Sequence, residues 1–399
     1  MELKNAKQAA PDIYWVGVLD KDLRVFDIIM RTEYGTTYNA YLVRGSEKTA
    51  LFETCKAPFF EEHLAKIREI CDPSEIDYIV VNHTEPDHSG SIERLLDYAP
   101  HAQVVGTNAA IGFCKEIVNR PFSSIVVKDG DTLSLGDKTL RFLAVPFLHW
   151  PDTMYTYLPE CQALFTCDSF GCHYADDRVF SDLIDGDFLD AYRYYFDNIL
   201  GPYKQPHMIN ALNKIKDLDI RLIGNGHGPV LRGAAIEKYI SLYRAWSEPQ
   251  PKKEKSVVIA YVSAYGYTAA LAREIAAGLA EEGVKDVSLF DLTETGEEPA
   301  LNALKKADGM LFGSPTILGD SLPPINRLLC GLNPTIDKGK KAGAFGSYAW
   351  SGEAVPNLEA RLQTMKFALP VPGCRVRLKP SAEQLAGAKE FGRQFAAAL

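Results

Sequence analysis

The six residues from His83 to His88 carry four side chains able to bind a metal ion: His83, Glu85, Asp87 and His88. They follow directly on the apolar run Tyr78-Ile79-Val80-Val81, which reads as a strand, and Pro86 bars its continuation. A tight loop is expected here, in which the four side chains converge instead of alternating between two faces of a sheet. Imidazole and carboxylate at this density suit divalent transition metals, and two adjacent ions fit better than one. Three further candidates stand at similar junctions: His149 after the apolar residues 142–148, Asp168 after 163–167, and His227 in Gly224-Asn225-Gly226-His227-Gly228. Strand ends are where α/β folds gather ligands. All eight histidines precede residue 228, so this chemistry belongs to the first part of the chain.

A break follows. Residues 247–255 combine Pro249 and Pro251 with a charge run and no apolar periodicity, which reads as a linker. The expected division is a first domain over 1–249, a linker over 250–255 and a second domain over 256–399. In the first, short strands come early (13–16, 38–43, 49–52), then a helix over 59–70 and the strand 78–81. Strands at 103–105, 124–127 and 139–142 precede later helices, so the expectation is an α/β sandwich of two sheets under helices. After residue 255 strand and helix alternate, with strands at 256–262, 287–290, 309–313 and 342–346. That pattern is a doubly wound parallel sheet.

Composition narrows the classes. Hydrophobic residues make up 46% of the 399, enough for an ordinary core in each domain. Net charge is −9, with 27 basic against 36 acidic residues up to position 253 and 16 of each after it, which argues against nucleic acid as a partner. No run of about 18 apolar residues exists to cross a membrane. The first residues lack an apolar signal core, and the eight cysteines include no C-x-x-C pair, so a reducing cytoplasm is expected.

The ligand pattern resembles the metallo-β-lactamase superfamily, whose usual loop is H-x-H-x-D-H; here Glu85 stands at the middle position. Four histidines and three carboxylates make a harder, more anionic set, better matched to Fe(II)/Fe(III) than to a nitrogen-rich zinc pair. H-x-E-x-D-H, Leu148-His149-Trp150-Pro151-Asp152, Cys167-Asp168-Ser169-Phe170-Gly171 and residues 34–42 together resemble the flavodiiron (A-type flavoprotein) family over essentially the whole chain. The resemblance implies one iron on His83, Glu85 and His149, a second on Asp87, His88 and His227, and Asp168 bridging them. It makes His88 the ligand whose ring can turn away. It also places His173 and Tyr194 near a bound diatomic, whereas His63, His101 and His207 read as surface residues.

The second domain offers a flavin site. Its first strand leads into Ser263-Ala264-Tyr265-Gly266-Tyr267-Thr268, where backbone N–H groups and two hydroxyls at a helix start make a phosphate cradle. This resembles a flavodoxin phosphate loop with tyrosines at two hydroxyl positions. Gly313-Ser314-Pro315-Thr316-Ile317 and Gly346-Ser347-Tyr348-Ala349-Trp350-Ser351-Gly352 follow the third and fourth strands of this domain. Pro315-Thr316, Tyr348 and Trp350 are expected to supply backbone donors and apolar faces to an isoalloxazine ring. G-x-G-x-x-G is absent, which favours FMN over FAD or NAD.

A flavin beside two reducible irons is expected to reduce O2 to water, NO to N2O, or both. A dizinc hydrolase fused to a flavodoxin would share the sandwich, but Glu85 disfavours it. An FMN electron carrier or a sensing module would show no turnover. No rubredoxin-like pair of C-x-x-C knuckles occurs, so electrons are expected from a separate donor; the resemblance implies rubredoxin or reduced coenzyme F420. It also implies a head-to-tail homodimer or a dimer of such dimers.

Overall fold

The computed structural model describes residues 5–249 and 254–399. The chain separates into two compact units between Pro249 and Gln250. Residues 250–253 of the expected linker lie outside the described residues. Ser247, read as linker, instead closes the helix Ala234–Ser247 and is buried, its carbonyl accepting from Gln205 Nε2 at 2.8 Å.

Two sheets face each other in the first unit. One has seven strands, in the spatial order Lys7–Ala10, Ile13–Trp15, Tyr41–Arg44, Thr49–Phe52, Tyr78–Val80, Gln103–Gly106 and Ser124–Val126. The other has six: Thr132–Ser134, Thr139–Ala144, Met154–Leu158, Ala163–Cys167, Leu222–Asn225 and Leu231–Arg232. Their inner faces meet in a dry layer, with Phe52 stacked on Phe165 at 4.1 Å between ring centres. The helices Phe60–Arg68, Ile92–Tyr98 and Asn108–Val118 cover the first sheet. Leu189–Tyr195, Ile209–Ile215 and Ala234–Ser247 cover the second. Four layers result, because each sheet must bury both faces.

Two local expectations change. The run 38–43 is not one strand: Thr36–Tyr38 pairs with Val18–Asp20, and Tyr41–Arg44 joins the large sheet. The chain turns between them, where Asn39 N–H donates to the Gly226 carbonyl at 2.8 Å. The tight loop expected at Pro86 is a single helical turn, Pro86–Ser89. The fixed φ of Pro86 suits the first helical position, where its missing N–H costs nothing. His63 is not a surface residue: it is buried under the first sheet, facing the Val16 carbonyl at 2.8 Å. His207 is half-buried beside Phe147, and only His101 is exposed.

The second unit is a five-stranded parallel sheet in the spatial order Asp286–Asp291, Ser256–Tyr261, Gly309–Gly313, Lys341–Tyr348 and Cys374–Arg377. The last strand escapes the pattern in the sequence because half of it is Arg375 and Arg377, which point outward on an edge. Helices Tyr267–Glu281 and Ala382–Ala397 pack together on one face. Gly278 and Gly392 are needed there: a Cβ would lie 2.0 Å from the Lys389 carbonyl oxygen and 2.3 Å from that of Ile275. Among the described residues no helix is long and apolar enough to cross a membrane.

Candidate metal centre and flavin site

All seven candidate ligands arrive at one place, where strands of both sheets of the first unit end. His83 and Glu85 leave the strand Tyr78–Val80, and the helical turn Pro86–Ser89 brings Asp87 and His88 round to face them. His149 follows Thr139–Ala144, Asp168 follows Ala163–Cys167, and His227 follows Leu222–Asn225. Cys167 itself has a φ of +47°, a strained conformation for a residue with a side chain, and it aims the next residue, Asp168, into the cluster.

The ligand atoms form two groups, with Asp168 between them. His83, Glu85, His149 and Asp168 offer atoms within 4.8 Å of one another, and so do Asp87, His88 and His227. His149 Nε2 lies 2.9 Å from Glu85 Oε2 and 3.1 Å from Asp168 Oδ2, and His83 Nε2 lies 3.2 Å from Glu85 Oε2. On the other side His88 Nε2 is 3.0 Å and His227 Nε2 3.5 Å from Asp168 Oδ1, and His227 Nε2 is 3.1 Å from Asp87 Oδ2. One oxygen of Asp168 therefore faces each group. The His88 ring is turned in.

Burial pulls the imidazoles' proton affinity down, yet the carboxylates win. The carboxylates of Asp152 and Glu85 hold His83 up at about 10, and Asp168 and Glu85 hold His149 at about 10. Asp87 and Asp168 raise His88 to about 9. Burial works against ionising Glu85 and Asp168, but the surrounding imidazoles hold both well below the usual carboxylate range. Such a set demands a compensating positive charge, and a divalent ion supplies it in place of protons. Both oxygens of Asp87 are buried without a hydrogen-bond partner, as befits atoms reserved for an ion. The residues fit two metal ions of the hard, carboxylate-tolerant kind.

Outer groups orient these ligands. Asp152 is fully buried, accepts from Thr84 N–H and hydroxyl at 2.8 and 2.7 Å, and turns its other oxygen to His83 Nδ1 at 3.6 Å. His227 Nδ1 lies 2.6 Å from the Thr37 carbonyl. His173 is buried against His227 at 5.2 Å between ring centres, with Nδ1 2.9 Å from Thr36 Oγ1 and Nε2 unpartnered. Tyr194 is not brought to the cluster: it is 42% exposed, whereas Tyr195 is 1% exposed and packs on His173 and His227. One residue along a helix turns the side chain by about 100°, and the sequence alone does not say which tyrosine faces inward. Two more contributors escaped the reading of the sequence. Phe26 lies 4.5 Å from His173 between ring centres, and Glu53 sits behind the ligand loop with its Oε1 accepting from Asn82 N–H at 2.9 Å. Burial pushes Glu53 up to about 7, and among the groups that pull it back the His88 imidazole acts most strongly.

In the second unit the three loops expected to hold a flavin leave three adjacent strands at the same end. Gly266, at φ +80°, makes the turn into the helix Tyr267–Glu281, whose first N–H groups lack intrahelical acceptors. Ser263 Oγ accepts from Ala269 N–H at 3.1 Å, and the Thr268 and Ser347 hydroxyls pair at 3.0 Å, binding the first loop to the third. Trp350 is 89% exposed, and Tyr265 and Ile317 are exposed with it, leaving apolar faces uncovered at the loop tips. Ser314, Pro315, Gly346 and Gly352 are buried, Tyr348 and Ala349 are half-buried, and Ala264 and Ser351 are exposed. One expected donor is unavailable: Thr316 N–H is taken by the Ser347 carbonyl at 2.9 Å, and Pro315 has no N–H to give.

Residues 36–228 match the ODP family beta-lactamase domain, and residues 259–392 match flavodoxin. The type A flavoprotein fprA of Rhodobacter capsulatus is 45% identical over 394 residues, covering 97% of this chain and 90% of the relative. The chain belongs to the flavodiiron, or type A flavoprotein, family. A protein named nitric oxide reductase from Moorella thermoacetica is 38% identical, with 97% of each chain covered. The solved structure of rubredoxin oxygen:oxidoreductase from Desulfovibrio gigas superposes with a TM-score of 0.75 at 31% identity, covering 98% of each chain. Flavodiiron structures carry a di-iron site and the flavodoxin domain is an FMN-binding domain, so the cofactors are FMN and two irons.

Proposed function

We propose that this oxidoreductase takes O2 to water, NO to N2O, or both, with electrons relayed through FMN. The reading rests on Asp168, whose two oxygens face two separate ligand groups 3.0 and 3.1 Å from their nearest imidazole nitrogens. His83, Glu85 and His149 would hold one iron, Asp87, His88 and His227 the other, and Asp168 both. Two irons held there would supply the electrons for reducing a small diatomic oxidant. Both candidate reactions consume protons. His173, kept neutral by burial and by the neighbouring His227, would offer one as an Nε2–H, that atom being buried and unpartnered, with Tyr195 against the same ring. The similar proteins from Moorella and Desulfovibrio carry NO and O2 in their names, which supports both substrates.

The phosphate of FMN would sit on residues 263–268, and Tyr348 and Trp350 would flank its ring. Rubredoxin or reduced coenzyme F420 would deliver the electrons in the cytoplasm. A head-to-tail homodimer, alone or paired again, would bring one subunit's FMN to its partner's irons, because electron transfer demands near contact and two-fold closure makes two equivalent pairs. The test is to reduce the FMN anaerobically in protein carrying two irons, then add O2 and NO separately. Rapid flavin reoxidation with water or N2O as product is expected. Protein that holds two irons yet reacts with neither gas, or that holds zinc and is indifferent to iron depletion, overturns the reading.

A further inference from the structure

Glu53 has no part in the two ligand groups, yet its surroundings are unusual. It ends the strand Thr49–Phe52 with a φ of +58°, a conformation costly for any residue with a Cβ. The strain is held from both sides. Its own N–H donates to the Val80 carbonyl at 2.9 Å, and the N–H and hydroxyl of the next residue, Thr54, both donate to the His88 carbonyl, at 2.7 and 2.6 Å. The side chain is thereby turned in behind the ligand loop, where Oε1 accepts from Asn82 N–H at 2.9 Å and Oε2 is buried with no partner.

The loop contains a matching deficit. His88 presents Nε2 to Asp168 and Asp87, which leaves Nδ1 as the outward nitrogen, and Nδ1 is buried and unpartnered. A ligating imidazole ordinarily donates its other N–H to a carboxylate or carbonyl, which fixes the tautomer and the ring. His227 has the Thr37 carbonyl for this, and His83 Nδ1 has a carboxylate standing opposite it, Asp152 at 3.6 Å, in the same outer position that Glu53 would take behind His88. Asn82 Nδ2 is a second unpartnered donor beside Glu53, and a carboxylate oxygen with two lone pairs can take both.

We propose that Glu53 is the positioning residue for His88: its carboxylate accepts the His88 Nδ1–H in the iron-loaded protein and keeps that ring turned in as a ligand. The inference rests on the di-iron reading above. It gives the strained backbone at Glu53 a purpose, since the side chain held there already reaches the Asn82 N–H behind the loop.

The test uses the FMN-loaded full chain and follows release of its two irons to a competing chelator. Glu53→Gln keeps the shape and removes the acceptor charge. It should weaken one iron about 10- to 100-fold, as expected for loss of an outer partner, and leave the other within about twofold. His88→Ala should weaken the same iron, and the double variant Glu53→Gln/His88→Ala should lose nothing further. Equal weakening of both irons, wild-type affinity in Glu53→Gln, or additive losses in the double variant would each overturn the proposal. A second measurement needs no variant to fold. In zinc-substituted protein with 15N-histidine and 13C-glutamate, the His88 Nδ1 to Glu53 carboxyl-carbon distance should be about 4 Å or less. A longer distance refutes the contact. Wild-type protein that cannot hold two irons would instead overturn the di-iron reading itself.

Discussion

Gly226→Ala probes how tightly the second ligand group is packed. The added Cβ would lie 2.7 Å from His88 Cε1, 3.1 Å from Asp168 Oδ1 and 3.1 Å from the Cys167 carbonyl carbon. Comfortable contact between carbon atoms begins near 3.5 Å, so the overlap with the His88 ring is about 0.8 Å. The backbone cannot back away, because Gly226 N–H donates to the Cys167 carbonyl at 2.6 Å and the Gly226 carbonyl accepts from Asn39. The His88 ring must move instead. Overpacking of this kind costs about 1–3 kcal/mol, which is roughly 5- to 150-fold in the affinity of the ion that His88 binds. Chelator competition on iron-loaded protein should show one iron weakened by that factor, while the iron on His83, Glu85 and His149 is held within about twofold. Both irons retained at wild-type affinity, or both lost together, would refute the argument that the overlap falls on His88.

Tyr195→Phe removes the hydroxyl of the ring packed on His173 and should slow turnover on the order of tenfold, the worth of one hydrogen bond of about 1.4 kcal/mol made to the reacting molecule, whereas Tyr194→Phe should leave it unchanged. Equal effects in stopped-flow oxidation would show that burial of Tyr195 is irrelevant to the chemistry. His63 supplies a pH dependence of stability: burial lowers it from 6.5 to about 4, so the folded state resists the proton that the unfolded chain accepts. Its contribution is complete above pH 6.5 and is lost as pH falls towards 4, at most about 3 kcal/mol. Urea unfolding should therefore show the gap between wild type and His63→Gln shrinking across that window, and a constant gap would contradict it. Cutting the chain near Pro251 should yield a yellow fragment of residues 252–399 and a colourless one before it; flavin retained on the N-terminal piece would reverse the assignment of the loops.

Much of this protein is written locally. The alternation of short apolar runs with Gly- and Pro-marked breaks sets the strands, since a strand's period and its terminators are properties of neighbouring residues. The ligand loop is legible for the same reason: His83, Glu85, Asp87 and His88 are crowded into six residues, and each later ligand stands at the end of an apolar run. What the sequence by itself leaves open is which way a side chain points once several elements pack. Tyr194 and Tyr195 differ by one residue, and only the packing of Leu189–Tyr195 on the second sheet sends the second ring to His173. His63 looks like a polar residue on a helix, yet it is closed in by the strand end at Val16, 47 positions away. The Thr316 N–H looks free until the neighbouring strand brings the Ser347 carbonyl to it. Glu53 is visible as a lone acid after a strand, and its meaning arises only when Asn82 and His88 are brought behind it. Those neighbours are far apart in the chain, and tertiary packing alone decides that they meet.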